Sequence, residues 1–239
     1  MLAGRVVAGQ ARKAPWRCPC GAGGASFGRG KGWHMATNMM IDLETLDTRP
    51  SAVVFQVGIL VFKDVLGGDI RGNLILEKKI FHLDILDQIM AGRTVDLETV
   101  RWWAEQNPDS WHRHPDEITK TGHMFQEINE LYVKHEVRSL WANSPSFDCV
   151  LMRSLRESLK IEWQFPSFRD DMDLRTLKRL FQMKGRGMES SGKTTSHNAL
   201  KDCEDQFHDA VHYLCEFSSM AELLEKMERD ELIPAPGLT

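Results

Sequence analysis

The stretch that most constrains this chain is a short apolar run that ends in two closely spaced acids, Met39-Met40-Ile41-Asp42-Leu43-Glu44-Thr45. Its composition predicts a buried β-strand, and because alternate residues of a strand point to one face, Asp42 and Glu44 should project side by side. Buried like charges repel each other and lose their hydration, and a divalent cation with oxygen ligands is the usual source of compensating positive charge. An ordinary strand end whose acids face water is the alternative, and this run alone does not decide between the two.

The overall composition is that of a soluble globular protein. Of the 239 residues, 42% are hydrophobic and 27% are charged, and no apolar run is long enough to span a bilayer. The five cysteines are few and odd in number, which favours a reducing, intracellular setting over a disulfide framework. We therefore expect a cytoplasmic protein without membrane contact.

Charge is distributed unevenly along the chain. Residues 1–34 carry six basic side chains, no acid and eight of the eighteen glycines, without a helical or strand period, so we predict a disordered leader or a non-native extension there. The remainder has 24 basic and 34 acidic side chains. An acidic body argues against nonspecific, charge-driven wrapping of nucleic acid, although a bound metal can supply the missing positive charge at one site.

The pattern of apolar residues predicts an α/β domain over residues 35–229, with a tail at 230–239. Strands are predicted at Met39–Thr45, Ser51–Phe62, Leu74–Leu83 and Val137–Ala142, and helices at Asp96–Gln106, Met124–His135, Phe147–Leu155, Leu174–Met183 and Asn198–Phe217. The segment Pro166–Asp173 is expected to be irregular, with its aspartates, Asp170, Asp171 and Asp173, in a solvated turn.

Two further acids fall where a metal site would need them. Asp148 follows the fourth strand at the start of a helix, which is where open α/β sheets place ligands. Asp202 lies one turn into the last long helix, whose predicted N-cap is Asn198, and His197 precedes that cap. We expect the four carboxylates to converge and to hold two divalent ions about 3.5–4 Å apart, with the imidazole accepting a proton from water.

Three stretches, in this order, resemble the three exonuclease motifs of the DEDDh family of 3′-5′ exonucleases: Ile41–Thr45, Trp141–Asp148 and His197–Asp202. Within that family, Trp102-Trp103, Phe147-Asp148 and Asp173–Thr176 are most similar to phage and prophage enzymes, the group containing exonuclease A of T-even phages and exodeoxyribonuclease VIII. The resemblance implies a three-layer RNase H-like α/β fold, with a mixed central β-sheet flanked by helices, in a bacterial or phage-infected cell.

The resemblance also implies a role for each matching position. The expected activity is metal-dependent 3′-5′ exonuclease activity that releases nucleoside 5′-monophosphates from single-stranded DNA, with RNA as the alternative substrate. The family's ligands for two divalent cations, Mg²⁺ or Mn²⁺, match Asp42, Glu44, Asp148 and Asp202, and its general base matches His197. The expected contacts with the terminal nucleotide are Leu43, Thr45, Phe147, Trp102 and Trp103. Asn143–Ser146 departs from the glycine-rich run that is frequent in relatives, which leaves the substrate preference open.

Two other functions compete with this interpretation. Gly187–Thr194 satisfies the P-loop pattern of nucleotide-binding proteins, but a P-loop follows a buried strand, and the preceding residues, Leu177–Lys184, have helical spacing. The basic side chains between Arg175 and Lys193 fit either steering of a nucleic-acid backbone or a solvated surface. The other competitor is a non-catalytic module that keeps the fold, and the presence of all five expected catalytic side chains argues against it.

Overall fold

The computed structural model describes residues 37–64, 73–106, 115–162, 167–183 and 197–229, and for 218–229 it describes the backbone alone. The predicted leader at 1–34, the P-loop-like segment Gly187–Thr194 and the tail at 230–239 lie outside these residues. Among the described helices, none has the length and apolarity needed to cross a bilayer.

Six strands of the described chain form one mixed sheet. They are β1 (Thr37–Thr45), β2 (Val54–Lys63), β3 (Ile75–Leu83), β4 (Ile118–Thr119), β5 (Val137–Ala142) and β6 (Asp171–Asp173). The order across the sheet is β4-β3-β2-β1-β5-β6, so β1 lies in its interior. The first three strands form an antiparallel meander, whereas β5 runs parallel to β1 and β6 parallel to β5.

Helices cover both faces of this sheet. They are α1 (Leu86–Met90), α2 (Leu97–Glu105), α3 (Thr121–Lys134), α4 (Asp148–Ser158), α5 (Leu174–Met183) and α6 (Ala199–Arg229). Local side-chain bonds set where several of them begin, because the first turn of a helix leaves N–H groups without partners. Asp96 accepts from Thr99 N at 2.8 Å to cap α2, and Asn198 accepts from Lys201 N at 3.1 Å at the predicted start of α6.

Alternation along β1 divides the apolar core into two halves, one on each face of the sheet. Met39 and Ile41 are fully buried in the half that contains residues of α3 and α4. Met40 is fully buried in the other half, with residues of α5 and α6. The strand period places Asp42 and Glu44 on the same face as Met40, so the two acids project toward the layer that contains α6.

The structure corrects the prediction for Pro166–Asp173, which is not wholly irregular. Asp171–Asp173 forms the edge strand β6, and Asp171 receives two hydrogen bonds from the guanidinium of Arg153, at 2.7 and 2.8 Å. Asp173 accepts from the backbone N–H and the hydroxyl of Thr176 and so caps α5. The turn assignment was therefore wrong for these two aspartates, although Asp173 is exposed to solvent as predicted. Asp is also favoured where it caps a helix or pairs with an arginine.

β2 and α6 approach each other most closely at Gly58, the residue that pairs with Asp42 across β1 and β2. A Cβ atom at Gly58 would lie 2.2 Å from the carbonyl oxygen of Ala199 and 2.6 Å from Leu200 N. Only a glycine leaves room for the backbone of another element at that distance. This contact therefore brings the first turn of α6, which carries Asp202, against the acids of β1.

We expect the Gly58→Ala substitution to destabilise the protein by about 1–3 kcal/mol, the usual range for overpacking a filled core. The reason is that the new methyl group must displace the backbone of Ala199. Thermal unfolding followed by circular dichroism measures the effect, and Gly122→Ala is the matched control because a Cβ at that helical position meets nothing within 4 Å. An equal melting temperature for the two variants would contradict this account of the contact.

Candidate active site

Three of the four predicted metal ligands meet at one point between β1 and α6. The carboxylate oxygens of Asp42, Glu44 and Asp202 lie within 4.8 Å of one another, and all three residues are half-buried. β1 supplies two of these acids through its alternation, and the first turn of α6 supplies the third. Residues that are about 160 positions apart in the sequence are thus brought together by the packing of α6 on the sheet.

Asp148, the fourth acid, lies beside this group at the first residue of α4. Its side chain is only 5% exposed, and its carboxylate accepts hydrogen bonds from its own backbone N–H and from those of Ser144 and Leu43. It is not among the acids within 4.8 Å of one another, but its charge contributes to the raised pKa values of Asp42 and Glu44. All four predicted acids therefore belong to one electrostatic centre.

Burial is the main reason why these acids have unusual pKa values. It raises the pKa of Asp42 well above its usual value, that of Glu44 to about 8 and that of Asp148 to about 7. The neighbouring carboxylates raise the pKa of Asp42 and Glu44 further. Hydrogen bonding from Gln206 opposes the rise at Asp42, and backbone N–H groups and the charge of Arg175 oppose it at Asp148. Without a cation the centre is therefore partly protonated at neutral pH.

The donor set of this centre fits a hard divalent cation. Its members are all carboxylates, and carboxylate oxygens are the donors that suit Mg²⁺, Ca²⁺ and Mn²⁺. A cation bound among them would remove the repulsion that raises their pKa values. The residues present thus match the predicted requirement for a divalent metal.

His197 lies just before α6, the helix whose first turn carries Asp202. It has a φ of +48°, a left-handed conformation that is uncommon for a residue other than glycine. Its ring meets the rings of Trp102 and Trp103 edge-on, with centroids 4.7 and 5.9 Å apart. The predicted base and the tryptophan pair of α2 therefore form one aromatic group.

The two tryptophans differ in exposure, which the sequence did not reveal. Trp103 is 5% exposed, donates from Nε1 to the carbonyl oxygen of Thr45 at 2.9 Å and packs edge-on against Phe55. Trp102 is 40% exposed. Trp103 thus anchors α2 to the end of β1, and only Trp102 presents much of its ring to solvent.

The other predicted substrate contacts are mostly buried. The side chain of Leu43 is 5% exposed and packs in the core half opposite the acids, and Thr45, at 8% exposure, donates to the carbonyl oxygen of Asp47 at 2.7 Å. Phe147 is half-buried and packs against the same core. A role of these three residues at the terminal nucleotide stays a prediction.

Two buried glutamines support the centre, and the sequence analysis missed both. Gln206 donates from Nε2 to Asp42 Oδ1 at 2.6 Å, and its Oε1 accepts from the backbone N–H of Asn143 at 3.1 Å. Gln56 is fully buried and accepts from the backbone N–H of Ala199 at 2.6 Å, which fixes the start of α6. The available signal for Gln206 was its spacing of one helical turn from Asp202.

The raised pKa of Glu44 predicts how stability depends on pH in the absence of metal. Because the folded-state pKa is about 8 and the ordinary value is 4.5, the stabilisation is complete below the ordinary value and is lost as pH rises toward 8. In EDTA the melting temperature should therefore fall from pH 5 to pH 8, at roughly 2–4 °C per kcal/mol lost. Added Mg²⁺ or Mn²⁺ should reverse that fall, since a ligand of the native state stabilises it.

Glu44→Gln should flatten this dependence on pH, whereas Glu98→Gln, which changes an exposed acid of α2, should leave it as in the wild type. Differential scanning fluorimetry across the pH series measures it. The same slope in the wild type and in Glu44→Gln would refute the link between this acid and stability.

Comparisons with known proteins agree with this geometry. The family model described as a 3′-5′ exoribonuclease Rv2179c-like domain matches residues 37–214. The comparison with curated protein sequences gives no match.

Solved exonuclease structures share the fold. The zinc-bound Escherichia coli ExoI–ssDNA complex matches with a TM-score of 0.53 and 15% identity over 77% of this chain and 41% of that one. Apo exonuclease I gives a TM-score of 0.51 and 16% identity over 77% and 42%. The nuclease domain of 3′hExo, a DEDDh family member bound to rAMP, gives 0.50 and 11% over 78% and 95%. This chain thus spans about two fifths of the exonuclease I structures that it matches.

These matches confirm the predicted RNase H-like α/β fold. Neither the family model nor these structures support the predicted closeness to phage exonuclease A. Since the family model covers more than half of the chain, the chain belongs to the 3′-5′ exoribonuclease Rv2179c-like domain family.

Proposed function

We propose that this protein is a metal-dependent exonuclease that removes nucleoside 5′-monophosphates from the 3′ end of single-stranded nucleic acid. The observation that carries the proposal is the meeting of Asp42, Glu44 and Asp202 within 4.8 Å, beside the buried Asp148. Buried acids in close proximity destabilise a fold unless positive charge joins them, and such clusters are typical of functional sites.

In this proposal Asp42, Glu44, Asp148 and Asp202 hold two divalent cations, Mg²⁺ or Mn²⁺. Bound there, the cations would neutralise the phosphate and make a water molecule acidic enough to attack it. The contribution of the chain is to fix the ligands before metal arrives. Asp148 is held by backbone N–H groups, among them that of Leu43, and Asp202 is held by the first turn of α6.

His197 is proposed to accept the proton of the attacking water. An imidazole can take up a proton near neutral pH, which suits a general base. The edge-on packing of Trp102 and Trp103 restricts the ring of His197, which precedes the helix that carries Asp202. Its left-handed φ is the kind of backbone strain that persists where surrounding contacts fix a functional residue.

Single-stranded nucleic acid is the substrate class that we propose. The exposed part of Trp102 offers a surface on which a terminal base can stack, and stacking needs an unpaired base. The sequence analysis predicted DNA, whereas the description of the matching family favours RNA. Among the structural neighbours, ssDNA is named for ExoI and rAMP for 3′hExo. Discrimination through the 2′-OH depends on the shape of the pocket, so the assay below includes both polymers.

The competing nucleotide-binding function has little support. A P-loop follows a buried strand, but the residues before Gly187–Thr194 form the helix α5, which ends at Met183. ATP hydrolysis by the purified protein would revive that alternative.

The decisive experiment digests RNA and DNA oligonucleotides of one sequence, labelled at the 5′ end, with Mg²⁺, Mn²⁺ or EDTA. We expect stepwise shortening from the 3′ end with either cation and none in EDTA. Asp148→Asn should abolish turnover because it removes a ligand charge, whereas Asp205→Asn, which changes an acid of α6 that pairs with Lys201 at 3.2 Å, should retain it. Wild-type turnover by Asp148→Asn, or digestion in EDTA, would overturn the proposal.

His197→Ala should lower kcat by about 10²–10⁴-fold, the usual contribution of a general base. Oligonucleotide affinity should change much less, since the proton transfer is absent from the ground state. Single-turnover kinetics and fluorescence anisotropy separate the two quantities. The control is His208→Ala, at an exposed position of α6, and an equal kcat in both variants would rule out the role of His197.

A further inference from the structure

Gln206 links three parts of the centre through one side-chain amide. It follows Asp202 by one turn of α6 and is 9% exposed. Its Nε2 donates to Asp42 Oδ1 at 2.6 Å, and its Oε1 accepts from the backbone N–H of Asn143 at 3.1 Å. β1, α6 and the turn after β5 therefore meet at this residue.

The orientation of this amide follows from its partners. A backbone N–H can only donate, so the carbonyl oxygen of Gln206 must face Asn143. The NH₂ group is then directed at Asp42, where it suits an ionised carboxylate, which only accepts. The hydrogen bond with Asn143 thus fixes the orientation of the amide, and Asp42 Oδ1 is held by a donor of fixed direction.

The amide of Gln206, which bridges Asp42 and Asn143, lies just beyond the point where β1 and β5 stop pairing. The parallel pairing of β1 with β5 ends at Met40 and Trp141. Two residues further along the chain lie Asp42, still in β1, and Asn143, the first residue after β5, and the amide of Gln206 joins them where the described ladder has ended. The turn that begins at Asn143 leads to Asp148 at the start of α4, so the amide connects the strand that carries Asp42 with the turn that precedes Asp148.

We propose that Gln206 is a positioning residue: it holds one carboxylate oxygen of Asp42, so that the second oxygen of Asp42 is presented to a divalent cation. Gln206 also keeps the turn that begins at Asn143 aligned with β1. This inference rests on the proposed function, because it assigns a purpose to the orientation of a metal ligand. Hydrogen-bond partners of metal ligands orient those ligands, and their loss commonly weakens metal binding or activity by about 10–100-fold.

The test is Mn²⁺ binding to the full-length protein, measured by isothermal titration calorimetry and by the electron paramagnetic resonance signal of free Mn²⁺. Gln206→Met keeps the length of the side chain and removes both hydrogen bonds. Gln206→Ala leaves space for water and serves where the first variant does not fold, which circular dichroism shows. We expect about 10–100-fold weaker Mn²⁺ binding in the folded variants.

Gln88→Met is the matched control. Gln88 is fully buried and also bonds to the backbone: its Oε1 accepts from Val54 N at 2.9 Å, and its Nε2 donates to Val54 O at 2.7 Å and to Asp84 O at 3.4 Å. None of these three bonds involves an acid of the centre. Its replacement should lower the melting temperature and leave Mn²⁺ affinity unchanged. In the Gln206 variants, raising the Mn²⁺ concentration should restore much of kcat, while KM for the oligonucleotide stays near the wild-type value.

The outcomes separate the two proposals. Wild-type Mn²⁺ affinity in a folded Gln206 variant of an active enzyme would overturn the positioning role alone, as would an equal loss of affinity in Gln88→Met. Absence of Mn²⁺ binding by the wild-type protein would overturn the proposed function and this inference together.

Discussion

Repulsion among carboxylates at one end of the central sheet is the constraint on which the rest of this structure depends. Asp42 and Glu44 lie on one face of β1, and Asp202 and Asp148 are brought up to them by α6 and α4. Burial and mutual repulsion raise the pKa values of Asp42 and Glu44, so the folded chain is less stable than it would be with neutral residues there. Buried acids that lower the stability of the fold in this way are typical of a functional site.

The scaffold opposes this repulsion with close contacts rather than with many charges. Gly58 lets the backbone of α6 reach β2, and Gln56 fixes the first N–H of that helix. Gln206 then joins Asp42 to the turn that carries Asp148. Each contact removes freedom from an element that carries a carboxylate, so the ligands are ordered before any cation arrives and less entropy is lost when it binds.

The distribution of charge in the chain limits where a nucleic-acid backbone can be attracted. The body of the protein is acidic, with 34 acids against 24 bases after residue 34, so attraction to a nucleic-acid backbone has to be local. In the described structure Arg175, at the start of α5, is close enough to lower the pKa of Asp148. Beside His197, Trp102 presents an aromatic ring that is 40% exposed.

The sequence alone determined what depends on local spacing. The alternation of β1 predicted that Asp42 and Glu44 share a face, and Asn198 predicted the start of α6, because both follow from the backbone geometry of neighbouring residues. The resemblance of three ordered motifs indicated the fold and a 3′-5′ exonuclease family, whereas the comparisons do not support the closeness to phage enzymes that it also indicated.

Only the tertiary structure decided which distant elements touch. Trp102 and Trp103 are adjacent and identical, and which one is buried depends on how α2 packs against Thr45 and Phe55. Likewise, the helical spacing places Gln206 one turn from Asp202, but only the packing of α6 against β1 brings its amide to Asp42, 164 positions away. The physical reason is that burial and hydrogen bonding of this kind are properties of packed surfaces, and those surfaces form only when the sheet and its helices assemble.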